Sequence, residues 1–227
     1  MDKLYNIDNK FFSMMGRAAD LMILNIVFII CCLPIVTIGA SLTALHYVTL
    51  KMVRNEESYI VKSFFKSFKQ NFKQATIINL ILLLFGGLLY LDLNIINNMS
   101  GSMASVLHVL FIAFGIVYFV IFLYLYPVLA KFYNTIKHTF RNAFLMSIRH
   151  LPYTVLMALI TAAPVAIFFI PTAQVQSIVL LLFILMGFSL EAFINGHFLV
   201  KIFDNYIIET PSKTSDTEES SEQTPAV

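Results

Sequence analysis

Between residues 21 and 203 the chain consists of apolar blocks, each about as long as a bilayer is thick, with little charge inside them. A helix needs about 20 mostly apolar residues to cross a hydrocarbon core of roughly 30 Å. Five stretches meet or approach that length: 21–45, 75–96, 106–128, 151–170 and 177–203. Lipid offers no partner for an unpaired backbone amide or carbonyl, so each should be helical. A β-barrel needs short segments of alternating polarity, and Leu80-Ile81-Leu82-Leu83-Leu84-Phe85 does not alternate. The expected fold is an all-α polytopic membrane bundle, with residues 21–206 as the membrane domain. Only 12% of the residues are charged, about half the 25% of a soluble domain, which excludes a soluble globular enzyme. The net charge of +2 is too small to imply a nucleic-acid partner.

The flanks read differently. In residues 1–20, Asp2, Asp8 and Asp20 interleave with Lys3, Lys10 and Arg17. A cleavable signal would instead place a short basic stretch directly before a short apolar core, so this segment reads as mature protein. Residues 207–227 are rich in Ser, Thr, Glu and Pro. That composition cannot repay ordering entropy, so a disordered acidic tail is expected. Cys31 and Cys32 are adjacent and are not expected to bridge, and no Cys/His spacing suits a metal. Phosphate-loop, nucleophile-elbow and His-Glu-x-x-His patterns are missing. No catalytic residue, cofactor or metal is therefore expected.

Lys and Arg set the orientation. The loop 46–74 carries Lys51, Arg54, Lys62, Lys66, Lys69 and Lys73, and the loop 129–150 carries Lys131, Lys137, Arg141 and Arg149. The connections 97–105 and 171–176 carry none. The basic loops and the C-terminus are therefore expected in the cytoplasm of a plasma-membrane protein. Five simple spans then leave the N-terminus outside, with three basic residues on the unfavoured side. The alternative is a broken hairpin over residues 11–53, interrupted between Pro34 and Gly39. Pro lacks an amide donor and Gly permits unusual dihedrals, so a break fits there. It would bring the N-terminus inside, with all 15 basic residues.

Each basic loop contains an amphipathic helix. In the first, Val61, Phe64, Phe65, Phe68 and Phe72 repeat at helical spacing, with Lys62, Lys66, Lys69 and Lys73 on another face. In the second, Leu129, Tyr133, Ile136, Phe140, Phe144 and Ile148 form the stripe, beside Lys137 and Arg141. Such helices lie on anionic lipid or dock a cytoplasmic partner. At an offset of 72 residues Phe68, Lys69 and Phe72 match Phe140, Arg141 and Phe144, the trace of a parallel duplication.

Glu191 is the one charge well inside a span, about 15 Å from Lys201 by helical rise. Asn195 lies one turn on, on the same face. A carboxyl at that depth costs about 2.5–3.5 kcal/mol on insertion scales. It either handles a proton or substrate, or ties helices together through a partner such as Asn79 or Asn25. Those two asparagines read as interhelical hydrogen-bond groups, and Gly86-Gly87 as a helix contact.

Asn25, the stretch Leu33-Pro34-Ile35-Val36-Thr37-Ile38-Gly39-Ala40, Thr43-Ala44-Leu45, the Phe64-to-Lys73 helix and Tyr126-Pro127 together resemble the signature of the YesL family. The resemblance covers roughly residues 10–205. It implies a small bacterial membrane protein, typically encoded near carbohydrate ABC-transporter genes, and brings no catalytic residues. Two functions compete. One is an accessory or permease-like component of carbohydrate uptake, with ABC-transporter subunits as partners. The other is a membrane-organising or signalling adaptor that transports nothing.

Overall fold

The computed structural model describes residues 2–56, 59–99, 101–168 and 172–207; the expected tail, from 208 on, lies outside the described residues. The order is α1 (Asp2–Cys32), a 3-10 turn (Ile35–Thr37), α2 (Ile38–Val53), α3 (Ile60–Asn97), α4 (Ser102–Lys131), α5 (Ile136–Arg149), α6 (Leu151–Phe168), α7 (Ala173–Leu182), a π-helical turn (Phe183–Gly187) and α8 (Phe188–Asp204). No strand occurs among the described residues. The all-α polytopic bundle stands, with five long apolar helices among the described residues, three of which contain the expected 75–96, 106–128 and 177–203. The five are Met14–Cys32, Ile35–Val53, Ile60–Asn97, Ser102–Lys131 and Ala173–Asp204. A sixth apolar unit pairs α5 with α6 across a bend of 102°.

The stretch 21–45 is not one span. Its helix stops at Cys32 and restarts at Ile38. The side chain of Arg17 hydrogen-bonds that of Asn55, 38 residues away. A straight helix would hold those residues about 57 Å apart, so α1 and α2 fold back on each other as a hairpin. The cause is local. Pro34 has no amide hydrogen to continue the ladder, and the Thr37 hydroxyl reaches back to the carbonyls of Cys31 (2.6 Å) and Pro34 (2.7 Å).

The basic amphipathic helix at residues 61–73 is also not a separate element. It is the first part of α3, a single helix of 38 residues, about 57 Å long. Its apolar side divides: Phe64 is fully buried and Phe68 half-buried, while Val61, Phe65 and Phe72 remain about 40% exposed. The helix therefore packs on protein as well as facing outward. The second amphipathic helix differs again. Leu129 belongs to α4, and Tyr133 lies in the link before α5 and is exposed. The buried face of α5 is Thr139, Ala143, Met146 and Ser147, which leaves Phe144 and Ile148 of the expected stripe pointing out. A continuous α3 and a sharply bent α5–α6 pair do not repeat one geometry.

Helix α2 is the axis of the bundle. Ten of its 16 residues are buried. Leu45, Val48 and Met52 pack with Leu21, Leu24 and Phe28 of α1 and Phe64 of α3. On its other side Ala40 and Leu50 join Ala75, Ile78 and Leu82 of α3, the 124–129 segment of α4, and Leu199, Ile202 and Phe203 of α8. One end of the bundle gathers the polar ties. Arg54 pairs with Asp204, Gln70 donates to the Tyr133 hydroxyl at 2.6 Å, and His150 meets Tyr206 at 3.2 Å. Arg17 midway along α1, the end of α2, the start of α3, the end of α4 and the end of α8 all meet at this end.

Candidate functional site

Breaking a helix at depth frees carbonyls that must find partners. Besides the two that Thr37 takes, the Ile35 carbonyl accepts from Asn79 Nδ2 at 3.3 Å and the Val36 carbonyl from Thr76 Oγ1 at 3.2 Å. Asn79 Oδ1 in turn accepts from the Tyr126 hydroxyl at 2.9 Å. Asn79 therefore ties the hairpin tip, α3 and α4 together. Gly39 is needed beside it, because a Cβ there would lie 2.5 Å from the Ala75 oxygen and 2.7 Å from Asn79 Cβ.

Asn25 makes a second tie. Its Nδ2 donates to the carbonyls of Phe183 (2.9 Å) and Ile184 (2.8 Å), and its Oδ1 accepts from the Ser189 amide at 3.0 Å. The π-helical turn releases these groups, and the sequence reading of 177–203 as a plain helix missed it. Ser189 Oγ also donates to the Leu21 carbonyl at 2.7 Å. Of the Gly86-Gly87 pair, only Gly86 meets a neighbour, the Tyr118 ring, whose hydroxyl donates to the Leu82 carbonyl at 3.0 Å.

Glu191 and Asn195 come together elsewhere. They line a cavity of about 80 Å³ between α2, α4, α6 and α8, with His46, Tyr126 and Thr161. Asn195 Nδ2 donates to Thr161 Oγ1 at 3.2 Å, and Thr161 lines the cavity beside Glu191. The expected partners of Glu191, Asn79 and Asn25, are engaged at the two ties and do not reach it. Two buried atoms, His46 Nδ1 and Asn195 Oδ1, have no protein partner. Buried polar atoms are almost always paired, so this pair marks the cavity as a place for a small polar occupant. The sequence reading missed His46 because it ended the first apolar run at Leu45. Since α2 continues to Val53, His46 sits mid-helix. Among the described residues no three His, Cys, Asp or Glu side chains gather as a metal set would.

The expected basic surface is present at the polar end. Lys62, Lys66, Lys69 and Lys73 are exposed along α3, and Lys137 and Arg141 along α5. Beside the α5 pair, Phe144, Leu145 and Ile148 are also exposed. Cys31 and Cys32 are free thiols at the hairpin tip.

Fold and site together define a polytopic α-helical membrane protein with a clamped N-terminal hairpin and a buried polar cavity. Residues 21–93 match the family model described as a protein of unknown function, DUF624. The matched segment is the last part of α1, all of α2 and most of α3, and it contains Asn25, Pro34, Gly39 and Asn79. The chain is also 25% identical over 162 residues to the uncharacterized protein YteU of Bacillus subtilis (strain 168), covering 71% of each chain. No solved structure matches the chain. These relatives indicate no enzyme family.

Proposed function

We propose that the protein is a YesL-type component of the cell membrane, with its basic end in the cytoplasm, and that it assists carbohydrate uptake as an accessory subunit. The observation that carries the accessory reading over a permease is the size of the polar cavity. At about 80 Å³ it falls well below the roughly 300–1,000 Å³ of small-molecule sites. The link to sugars comes from the family resemblance, and the exposed lysines of α3 supply a surface for ABC-transporter subunits. The same surface also favours a second reading, an adaptor that organises other membrane or signalling proteins.

Pull-down of tagged protein in detergent after sugar induction tests both. Transporter or solute-binding subunits are expected in the wild-type eluate. Lys62→Glu, Lys66→Glu, Lys69→Glu and Lys73→Glu combined should reduce their recovery about tenfold or more, the effect of losing 1.4 kcal/mol or more of binding. Thermal stability should barely change, because these side chains are exposed. Recovery of no transport subunit rejects the uptake reading in favour of the adaptor.

Orientation has its own test. On this reading a hairpin followed by an even number of crossings brings Arg17 of α1 and Asp204 of α8 to the same, basic side. In a background with Cys31 and Cys32 replaced by alanine, Asn6→Cys, Lys66→Cys and Lys137→Cys should label only after the membrane is breached. Ser102→Cys should label in intact cells. Labelling of Asn6→Cys from outside would overturn the shared side, and labelling of Lys66→Cys would overturn the orientation.

A further inference from the structure

Glu191 stands on a boundary. On one side it borders the polar cavity, and on the other an apolar groove of about 430 Å³ between α6 and the α7–α8 segment. The groove's other lining residues carry no polar side chain. Any hydrogen-bond partner of the carboxyl therefore comes from the cavity side. There Thr161 already accepts from the amide nitrogen of Asn195 at 3.2 Å. Asn195 is only 6% exposed, and its Oδ1 has no partner. His46 Nδ1 is buried and equally unpartnered. The cavity thus sets two buried, unpartnered polar atoms beside the Glu191 carboxyl. Its volume suits about two or three waters, each of which makes about three hydrogen bonds when buried.

We propose that this cavity is a hydrated proton-exchange site in which Glu191 and His46 share one proton through about two or three trapped waters. In the exchange, the Glu191 carboxyl passes its proton to a water as a water passes one of its own to His46 Nδ1. One O–H bond on Glu191 breaks, one N–H bond on His46 forms, and the waters are regenerated. The resulting carboxylate and imidazolium cancel, so the site stays neutral within an apolar bundle, where an unpaired charge is costly. The ionisable groups lining the cavity are His46 from α2, Tyr126 from α4 and Glu191 from α8; α6 contributes Met157 and Thr161, neither of which ionises. The Tyr126 hydrogen is already given to Asn79, which keeps it out of the exchange. His197 lies further along α8, exposed and turned to the Phe193 carbonyl.

Isotope-edited infrared and nitrogen NMR spectra of the full chain, reconstituted in phosphatidylcholine vesicles, test the coupling. A glutamate carboxyl band should move between H2O and D2O and should be lost in Glu191→Gln. That band should shift in His46→Gln and stay fixed in His197→Gln. Reciprocally, the His46 ring-nitrogen resonances should shift in Glu191→Gln. Glu191→Asp keeps the carboxyl on a shorter arm, so its band should be displaced even if the glutamine variant folds poorly. An exchange-sensitive band that survives Glu191→Gln, or one indifferent to His46→Gln, would overturn the proposal.

Discussion

Gly39→Ala should lower the thermal midpoint of the detergent-solubilised protein by about 5–10 °C, and Gly39→Leu should leave little folded protein to recover. The alanine Cβ would sit 2.5 Å from the Ala75 oxygen, 2.7 Å from Asn79 Cβ and 3.1 Å from the Ala75 carbonyl carbon. Two of the three are backbone atoms of α3 and cannot swing aside as a flexible side chain would. Helix α2 must back away, and Asn79 then loses its hold on the Ile35 carbonyl. Overpacking of this kind costs about 1–3 kcal/mol, and 1 kcal/mol moves the midpoint of a chain this size by about 2–4 °C. Gly87→Ala is the control. Nothing lies within 4 Å of a Cβ there, and alanine is the better helix former by about 0.5–1 kcal/mol, so its midpoint should hold or rise. Equal midpoints for the two variants would show that α2 does not rest on α3 at Gly39.

The hairpin shows how far the sequence can be read. Pro34 and Gly39 mark an interruption in any apolar run, and the basic residues before Leu21 are easier to place if the chain turns back. What the sequence could not show is that the break is fully compensated. The hydrogen bonds come from Thr37, six residues from the carbonyl it takes at Cys31, and from Thr76 and Asn79, 40 and 44 residues from theirs. Composition records that these residues are polar, not where their hydrogens go. The same limit hid His46. In a single broken span it falls at the edge of a loop, whereas in a hairpin it falls in the middle of the most buried helix. Glu191 was legible as the intramembrane charge because a carboxylate among Leu, Ile and Phe stands out at any register. Its neighbours Thr161 and His46 were not, because each lies on a different helix.

Periodicity was incomplete at the amphipathic segments for a related reason. A stripe of Phe at three- and four-residue spacing identifies a helix with an apolar face, but not what covers the face. On α3 that face is shared: Phe64 goes to the bundle and Phe65 stays outside. On α5 the small residues Thr139, Ala143 and Ser147 allow close packing and take the inner face, which turns Phe144 and Ile148 outward. Large apolar residues beside Lys137 and Arg141 on an exposed face are the arrangement that seats a helix at a lipid headgroup layer.

The tie at Asn25 predicts the other large effect. Asn25→Leu removes both donors to the Phe183 and Ile184 carbonyls and the acceptor for the Ser189 amide. Leucine is close in size, so the loss is almost purely one of hydrogen bonding. Side-chain hydrogen bonds within membrane bundles average about 0.6 kcal/mol and reach about 1.7, so three together should cost about 2–5 kcal/mol. The upper part of that range applies where a freed backbone group finds no water, and the π-helical turn sits in an apolar helix face. The loss should be visible as a lower thermal midpoint and as faster hydrogen exchange at the Ser189 amide. Ser189→Ala tests whether α1 and the turn form one unit. It removes the bond to the Leu21 carbonyl, and in a protein already carrying Asn25→Leu its further cost should be smaller than in the wild type, because neighbouring contacts in one network do not add. Asn98→Ala is the comparison, since that side chain bonds only the Asn94 carbonyl one turn back on an exposed surface, and it should be nearly silent. An Asn25→Leu protein as stable as Asn98→Ala, with slow exchange at Ser189, would mean that the turn is held by the packing of Phe28 and Phe183 on Phe188 and not by the asparagine.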